Sequence, residues 1–255
     1  MINILKNSCI IFCLILQLAA NAQSIGKEQT AARVWMDAYV EAIKEDGLGP
    51  TIHARNIFHL SVVMYDSWEV YNGDKLNTFF LGKSFGDYEC EFDGFQVPEN
   101  IDSARNVTIN YAAFRFIMGK YDFYPSKVRN SDVFIALFDS LGFEMRFNST
   151  DYSKGSPAAL GNYIATQIIQ FAIEENVGDE DGYEAEMYNP INIPLRPEIP
   201  GNPDLKHKNR WQPLAVRKYI RTKGWDSTLS DWNYLLILPT DVFLTPQWGS
   251  VTPFS

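Results

Sequence analysis

The sequence predicts an all-α fold, a helical bundle of about five or more helices followed by a long, Pro-rich, irregular C-terminal segment. Three observations predict it. Five stretches between Thr30 and Asn176 carry apolar residues at helical spacing. Cap and breaker residues stand at the ends of several of them. From Gly178 onward the prolines become too dense for regular helix.

Thr30 is placed to cap a first helix through Trp35, Tyr39 and Ile43, closed by Gly47 and Gly49. Pro50 and Thr51 open a second helix from about Ile52 to Tyr71. Its apolar stripe is Ile57, Leu60, Val63, Met64 and Trp68. Residues 72–100 form a loop-rich stretch, with room for a short extended segment but no sustained alternation. A third helix spans about Asp102 to Tyr121, with Tyr111, Phe114, Ile117 and Met118 inward. A fourth runs from roughly Lys127 to Leu141, with Val133, Leu137 and Leu141 inward. Ser156-Pro157, a cap followed by Pro at the first helical position, starts a fifth that continues to about Asn176. Ile164, Ile168, Phe171 and Ala172 mark its inner face. The later segment interleaves Pro190, Pro194, Pro197, Pro200 and Pro203 with Ile191, Ile193, Leu195 and Trp211, a pattern of extended chain that packs. No internal repeat is present. The expected domain organisation is a leader over residues 1–22 and a single helical domain over 23–255.

The leader reads as a secretory signal peptide. Lys6 supplies the positive end, Ile10–Leu16 an unbroken apolar run, and Ala20-Asn21-Ala22 the small-x-small cleavage pattern. Export is expected, with Gln23 as the new N-terminus and no membrane association after cleavage. Cleavage removes Cys9 and Cys13 and leaves Cys90 without an internal disulfide partner. Flanked by Glu89 and Glu91, Cys90 is a poor nucleophile, since neighbouring carboxylates disfavour the thiolate.

The 255 residues, 46% of them hydrophobic, suffice for a sizeable core. The formal charge is −9, and −10 once Lys6 is removed. That balance argues against a nucleic-acid partner, which requires a basic face.

Candidate chemistry is sparse. His53 and His59 are six residues apart on one helix, about 240° around its axis, so they cannot ligate one metal. His207 is remote in sequence. Asp37, Glu41 and Glu45 line one helix face and suit either a carboxylate site or, more simply, solvent. The turn Asp179-Glu180-Asp181-Gly182 lacks the ligand spacing of an EF-hand. A hydrolase built on calcium or these carboxylates is therefore the weakest reading. Arg210, Arg217, Lys218, Arg221 and Lys223 form the one dense basic stretch, better suited to a surface strip than to an anion site. Cys-x-x-Cys and Gly-rich phosphate loops are absent from the sequence.

Three passages are more particular. The first is Gly47-Leu48-Gly49-Pro50-Thr51-Ile52-His53-Ala54-Arg55-Asn56, with Phe58-His59-Leu60-Ser61 and Met64-Tyr65-Asp66-Ser67-Trp68. The second is Pro200-Gly201-Asn202-Pro203 leading to Asn209-Arg210-Trp211-Gln212-Pro213-Leu214. The third is Leu244-Thr245-Pro246-Gln247-Trp248-Gly249-Ser250-Val251-Thr252-Pro253-Phe254. In this order, behind a leader, they resemble the N-terminal half of secreted bacterial vanadium-dependent haloperoxidase-like proteins. These belong to the superfamily shared with type 2 phosphatidic acid phosphatases and bacterial acid phosphatases. The resemblance implies packed helices and, in the full-length family, a vanadate or phosphate held by Lys, Arg and backbone N–H groups beside two histidines. It implies peroxide-dependent halide oxidation by the whole protein.

The family's anion signature is Lys-x6-Arg-Pro, then Pro-Ser-Gly-His, then Ser-Arg-x5-His. None of its parts occurs here. The one Arg-Pro is Arg196-Pro197, with Asn189 where the Lys should stand. No catalytic, cofactor-binding or metal-ligating residue is assigned. The expected partner is a catalytic C-terminal half beyond Ser255, against which the Arg210–Leu214 and Pro246–Gly249 passages would pack. Vanadate is expected in the full-length family and not on this chain alone. The competing expectation is an exported, non-catalytic helical binding or interaction module.

Overall fold

The computed structural model describes residues 29–44, 48–73, 77–122, 131–175, 189–196, 200–203, 205–214, 218–221, 234–237 and 251. The leader, Glu45, the 179–182 turn and, Val251 apart, the 244–254 passage lie outside them. The protein is predominantly helical. Its elements are α1 (Ala31–Ile43), α2 (Pro50–Glu69), β1 (Ser84–Phe85), β2 (Tyr88–Glu89), α3 (Ile101–Asp122), α4 (Ser131–Ser140), α5 (Pro157–Glu174), β3 (Lys218–Arg221) and β4 (Tyr234–Ile237). The chain divides into two compact units, the second formed by Tyr183–Val251 and the first by the rest.

In the first unit the helix starts follow local chemistry. Thr30 Oγ1 accepts from the Arg33 N–H at α1, and Ser156 Oγ accepts from the Ala159 N–H at α5. Proline opens α2 and α5, where its missing N–H costs nothing.

Helix α3 packs against all four other helices, most extensively against α5. This explains why α3 is buried well beyond one stripe, with Ala112, Ala113, Phe116 and Lys120 inward as well as Tyr111, Phe114 and Ile117. The α3–α5 crossing is close. A Cβ on Gly161 would lie 2.5 Å from the Thr108 carbonyl oxygen and 2.9 Å from Tyr111 Cβ. At the α1 side, Trp35 is fully buried and donates its Nε1–H to Asn110 Oδ1 at 2.8 Å.

Two inner faces differ from the sequence expectation. On α4 the buried residues are Phe134 and Phe138, whereas Val133 and Leu141 are exposed. Two stripes one residue apart competed. The aromatic one prevails because Phe138 stacks on Phe114 at 4.0 Å and meets Tyr111 edge-on. On α2, Trp68 is 44% exposed and lies under the Arg105 guanidinium, which also donates to the Trp68 carbonyl. The opposite face of α2 is covered by residues 78–81, so this helix buries polar as well as apolar positions.

The extended segment within 72–100 is the β1–β2 hairpin, with Ser84 paired to Glu89 and Phe85 to Tyr88. Residues 123–130 lie outside the described set, so the expected start of the fourth helix near Lys127 has no structural counterpart here.

The second unit is irregular around its prolines. Leu195 and Leu214 form a parallel bridge, with the Leu195 N–H donating to the Pro213 carbonyl at 2.8 Å. Asn192 is buried and organises the turn. Its Nδ2 donates to the His207 and Arg210 carbonyls, and its Oδ1 accepts from the His207 N–H. Strands β3 and β4 pair antiparallel, from Lys218 against Ile237 to Arg221 against Tyr234. The sequence reading did not foresee this hairpin.

Candidate functional site

Among the described residues, the densest set of buried polar side chains lies along α2, in and just after the Gly47–Trp68 passage. Arg55, Asn56, His59, Asp66, Ser67 and Glu69 are all buried. Each placement has a local reason. Positions 55, 59, 63 and 66 share a face at helical spacing, and that face meets α3, α5 and the 78–81 loop.

At its N-terminal end, Arg55 Nη2 donates to Glu175 Oε2 at 2.6 Å and to the Ala172 carbonyl at 3.3 Å. Both charged side chains are almost fully buried, 3% and 6% exposed. One turn on, His59 packs among Phe58, Phe116 and Phe171, with ring centroids 5.8 to 6.3 Å away. Its Nδ1 is buried and makes no hydrogen bond to a protein group among the described residues. Burial holds the His59 imidazole well below its ordinary pKa, and the nearby charges of Arg55 and Lys120 push the same way. Lys120 is itself 1% exposed, its ammonium 5.8 Å from the Phe116 ring centroid.

At the other end, Asp66 accepts three backbone N–H groups, from Phe79 at 2.6 Å, Phe80 at 2.8 Å and Leu81 at 2.7 Å. Burial pushes its carboxyl pKa up, against the opposing pull of those bonds and of Lys83. Glu69 accepts from Asn72 Nδ2 and the Asn77 N–H. These carboxylates hold the 77–81 loop onto the helix.

The arrangement does not fit a bound vanadate or phosphate. Such an anion needs several donors free to converge on its oxygens. Here Arg55 is engaged by Glu175 and Ala172, and His59 is enclosed by aromatic rings.

His53 is half-buried on α2, and the exposed His207 belongs to the second unit. Asp37 is exposed and pairs with Arg33 at 2.5 Å, while Glu41 pairs with Lys44. Both carboxylates are therefore engaged along a solvated helix face. Among the described residues no group of three or more His, Cys, Asp or Glu side chains could hold a metal ion. Arg210 is exposed, and Lys218 and Arg221 lie in β3; Arg217 and Lys223 fall outside the described residues.

Cys90 is buried and its thiol is pushed up to about 11. The main cause is burial, with a smaller push from Asp66. Glu89 and Glu91, expected from sequence to be responsible, are exposed.

The Arg55–Glu175 pair, the buried Lys120 and the triple acceptance by Asp66 were missed in the sequence. A signal existed for Asp66, a carboxylate three and four residues past the apolar Val63 and Val62. None existed for the partners of Arg55, which lie 117 and 120 residues away.

Among the described residues no helix is long and apolar enough to cross a membrane. No family model matches the chain, and no curated protein matches it. Two solved structures are similar to it. One is described as a holo-type bacterial vanadium-dependent chloroperoxidase, at 20% identity and a TM-score of 0.43, over 80% of this chain and 40% of that one. The other is the apo-type bacterial vanadium-dependent chloroperoxidase, at 19% identity and a TM-score of 0.45, over 80% of this chain and 41% of that one. The chain thus spans well under half the length of either.

Proposed function

We propose that this chain is the exported N-terminal helical scaffold of a vanadium-dependent haloperoxidase and acid phosphatase superfamily protein. The vanadate-dependent, peroxide-driven halide oxidation of such a protein then depends on residues outside these 255. The observation that carries the reading is the inward turn of Arg55 and Asp66 in the Gly47–Trp68 passage, one of the two strongest parts of the sequence resemblance. Arg55 holds the end of α5 and Asp66 holds the 79–81 loop. Groups committed in this way join the elements of a scaffold. The anion signature of the family is absent from the sequence, which agrees with that division of labour.

The test has two parts. The purified chain is assayed for bromination with peroxide and vanadate, and no turnover is expected; clear vanadate-dependent turnover would overturn the assignment. The coding DNA is also read past the codon for Ser255. A continuing frame with the Lys, Ser-Gly-His and Ser-Arg…His signature supports the scaffold reading.

One observation favours a second reading, a non-catalytic interaction module. The first unit closes a core of its own, with Trp35, Phe114, Phe138, Ile164 and Ile168 at most 1% exposed. A stop codon with no signature downstream would give this reading the lead.

A further inference from the structure

We propose that the seam where α2, α3 and the end of α5 meet around His59 is an acid-operated latch. It is closed while His59 is neutral and opens when His59 takes up a proton, so that the last turn of α5 lets go of Arg55. The inference is independent of the haloperoxidase reading.

The argument begins with what surrounds the imidazole. From α2, Phe58 and Arg55 face it. From α3 come Phe116 and Lys120, and from α5 comes Phe171. The carboxylate of Glu175, just past the end of α5, is bonded to Arg55. The described charges acting on His59 are thus the two cations Arg55 and Lys120. His59 is 3% exposed, and its Nδ1 finds no hydrogen-bond partner among the described residues.

A neutral imidazole is an adequate aromatic filler for such a site. An imidazolium is not, because it would be a buried charge beside two like charges, with three ring edges or faces in place of water. The chain can relieve this only by admitting water to the seam. The part best placed to move is the last turn of α5. It is held across the seam by Arg55, through the Ala172 carbonyl and Glu175. The centre of α3 is packed on all sides and has no such release.

The sign follows from linkage. His59 has a folded pKa below its ordinary value of 6.5. The open form therefore binds the proton more readily than the closed form. The closed state keeps its full advantage above about pH 6.5 and loses it as the pH falls. The loss is about tenfold in the closed-to-open ratio per pH unit, until the closed form itself is protonated.

Hydrogen exchange of the full chain, corrected for the intrinsic effect of pH on exchange, tests this between pH 7.5 and 5.0. Amides of residues 168–175 and 55–60 are expected to lose protection about tenfold per unit below 6.5. Amides of Tyr111–Phe116 serve as the reference and should lose less. The substitution His59→Phe, which keeps an aromatic filler and removes the proton site, should abolish the acid step at the seam. A seam that loses protection equally in His59→Phe would overturn the latch. So would loss spread evenly over seam and reference. Should His59→Phe fail to fold, NMR titration of the wild-type His59 ring decides. A ring still neutral at pH 6, with the seam amides opening as it titrates, supports the latch; a ring that titrates near 6.5 with a static seam refutes it.

Discussion

Gly161 and Gly119 offer a matched pair of substitutions at one helix–helix contact, with different outcomes expected. Both glycines lie inside helices, Gly161 on α5 and Gly119 on α3. Replacing either with Ala gains about 1 kcal/mol of helix propensity, all else equal. The surroundings decide the net sign. At Gly161 the new Cβ meets the Thr108 carbonyl oxygen at 2.5 Å, Tyr111 Cβ at 2.9 Å and the Ala112 nitrogen at 3.0 Å. Two of the three are backbone atoms of α3, so relief requires the helices to part. Overpacking costs about 1–3 kcal/mol, and a rigid obstacle places this case near the upper end. The net for Gly161→Ala is a loss of about 2 kcal/mol. For a unit of this size that corresponds to a fall in Tm of roughly 4–8 °C.

At Gly119 the short contact is with Ile169 Cδ1, also at 2.5 Å, the far end of a half-buried side chain. A rotamer adjustment costs about 0.5–1.5 kcal/mol. Gly119→Ala should therefore fall within about 0.5 kcal/mol of wild type. Urea unfolding of the two variants, followed by far-UV circular dichroism, measures the difference. A Gly161→Ala variant as stable as Gly119→Ala would refute the claim that the α3–α5 contact is set by backbone approach at Gly161.

Three further outcomes are expected. Asp66→Ala strands the N–H groups of Phe79, Phe80 and Leu81; at about 1–3 kcal/mol for each unsatisfied buried group, denaturant unfolding should show a loss of at least about 3 kcal/mol. Cys90, the sole thiol from Gln23 onward, has its pKa raised from 9.0 to about 11. At pH 8 its thiolate fraction should lie roughly a hundredfold below that of an ordinary thiol, so an aromatic disulfide reagent should label it only after unfolding in urea. Asn192→Ala removes the acceptor for the His207 N–H and the donor to the His207 and Arg210 carbonyls. Faster hydrogen exchange confined to residues 207–211 is the expected result, and unchanged exchange there would show that the turn holds without it.

Much of the first unit was legible in the chain. The Thr30 and Ser156 caps act through neighbours three residues on, and the N-terminal prolines of α2 and α5 act through their own missing N–H. Such signals need no tertiary partner, and those helix starts fall where the residues predict. The inner face of α5 was legible too, with Ile164, Ile168, Phe171 and Ala172 all buried as their spacing predicts. The α4 face was not. Phe134 and Phe138 compete there with Val133 and Leu141, and the choice is made by tertiary partners such as the stacked Phe114 and the edge-on Tyr111. The β3–β4 hairpin was missed as well, since its pairing joins residues 13 to 19 positions apart, from Arg221 with Tyr234 to Lys218 with Ile237, and is not a local preference.

The candidate site divides along the same line. That Arg55, His59 and Asp66 share an α2 passage with a family resemblance is written in the sequence. Helical spacing alone could have placed them toward solvent as readily as inward. Their burial was decided by the residues brought over them, Phe116 and Lys120 from α3, Phe171 and Glu175 at the end of α5, and the 79–81 loop. Local backbone preferences act over three or four residues and can be read in order along the chain. The electrostatic state of a buried side chain depends on groups as far as 120 positions away, as Arg55 and Glu175 show, and only the packed fold sets which of them it meets.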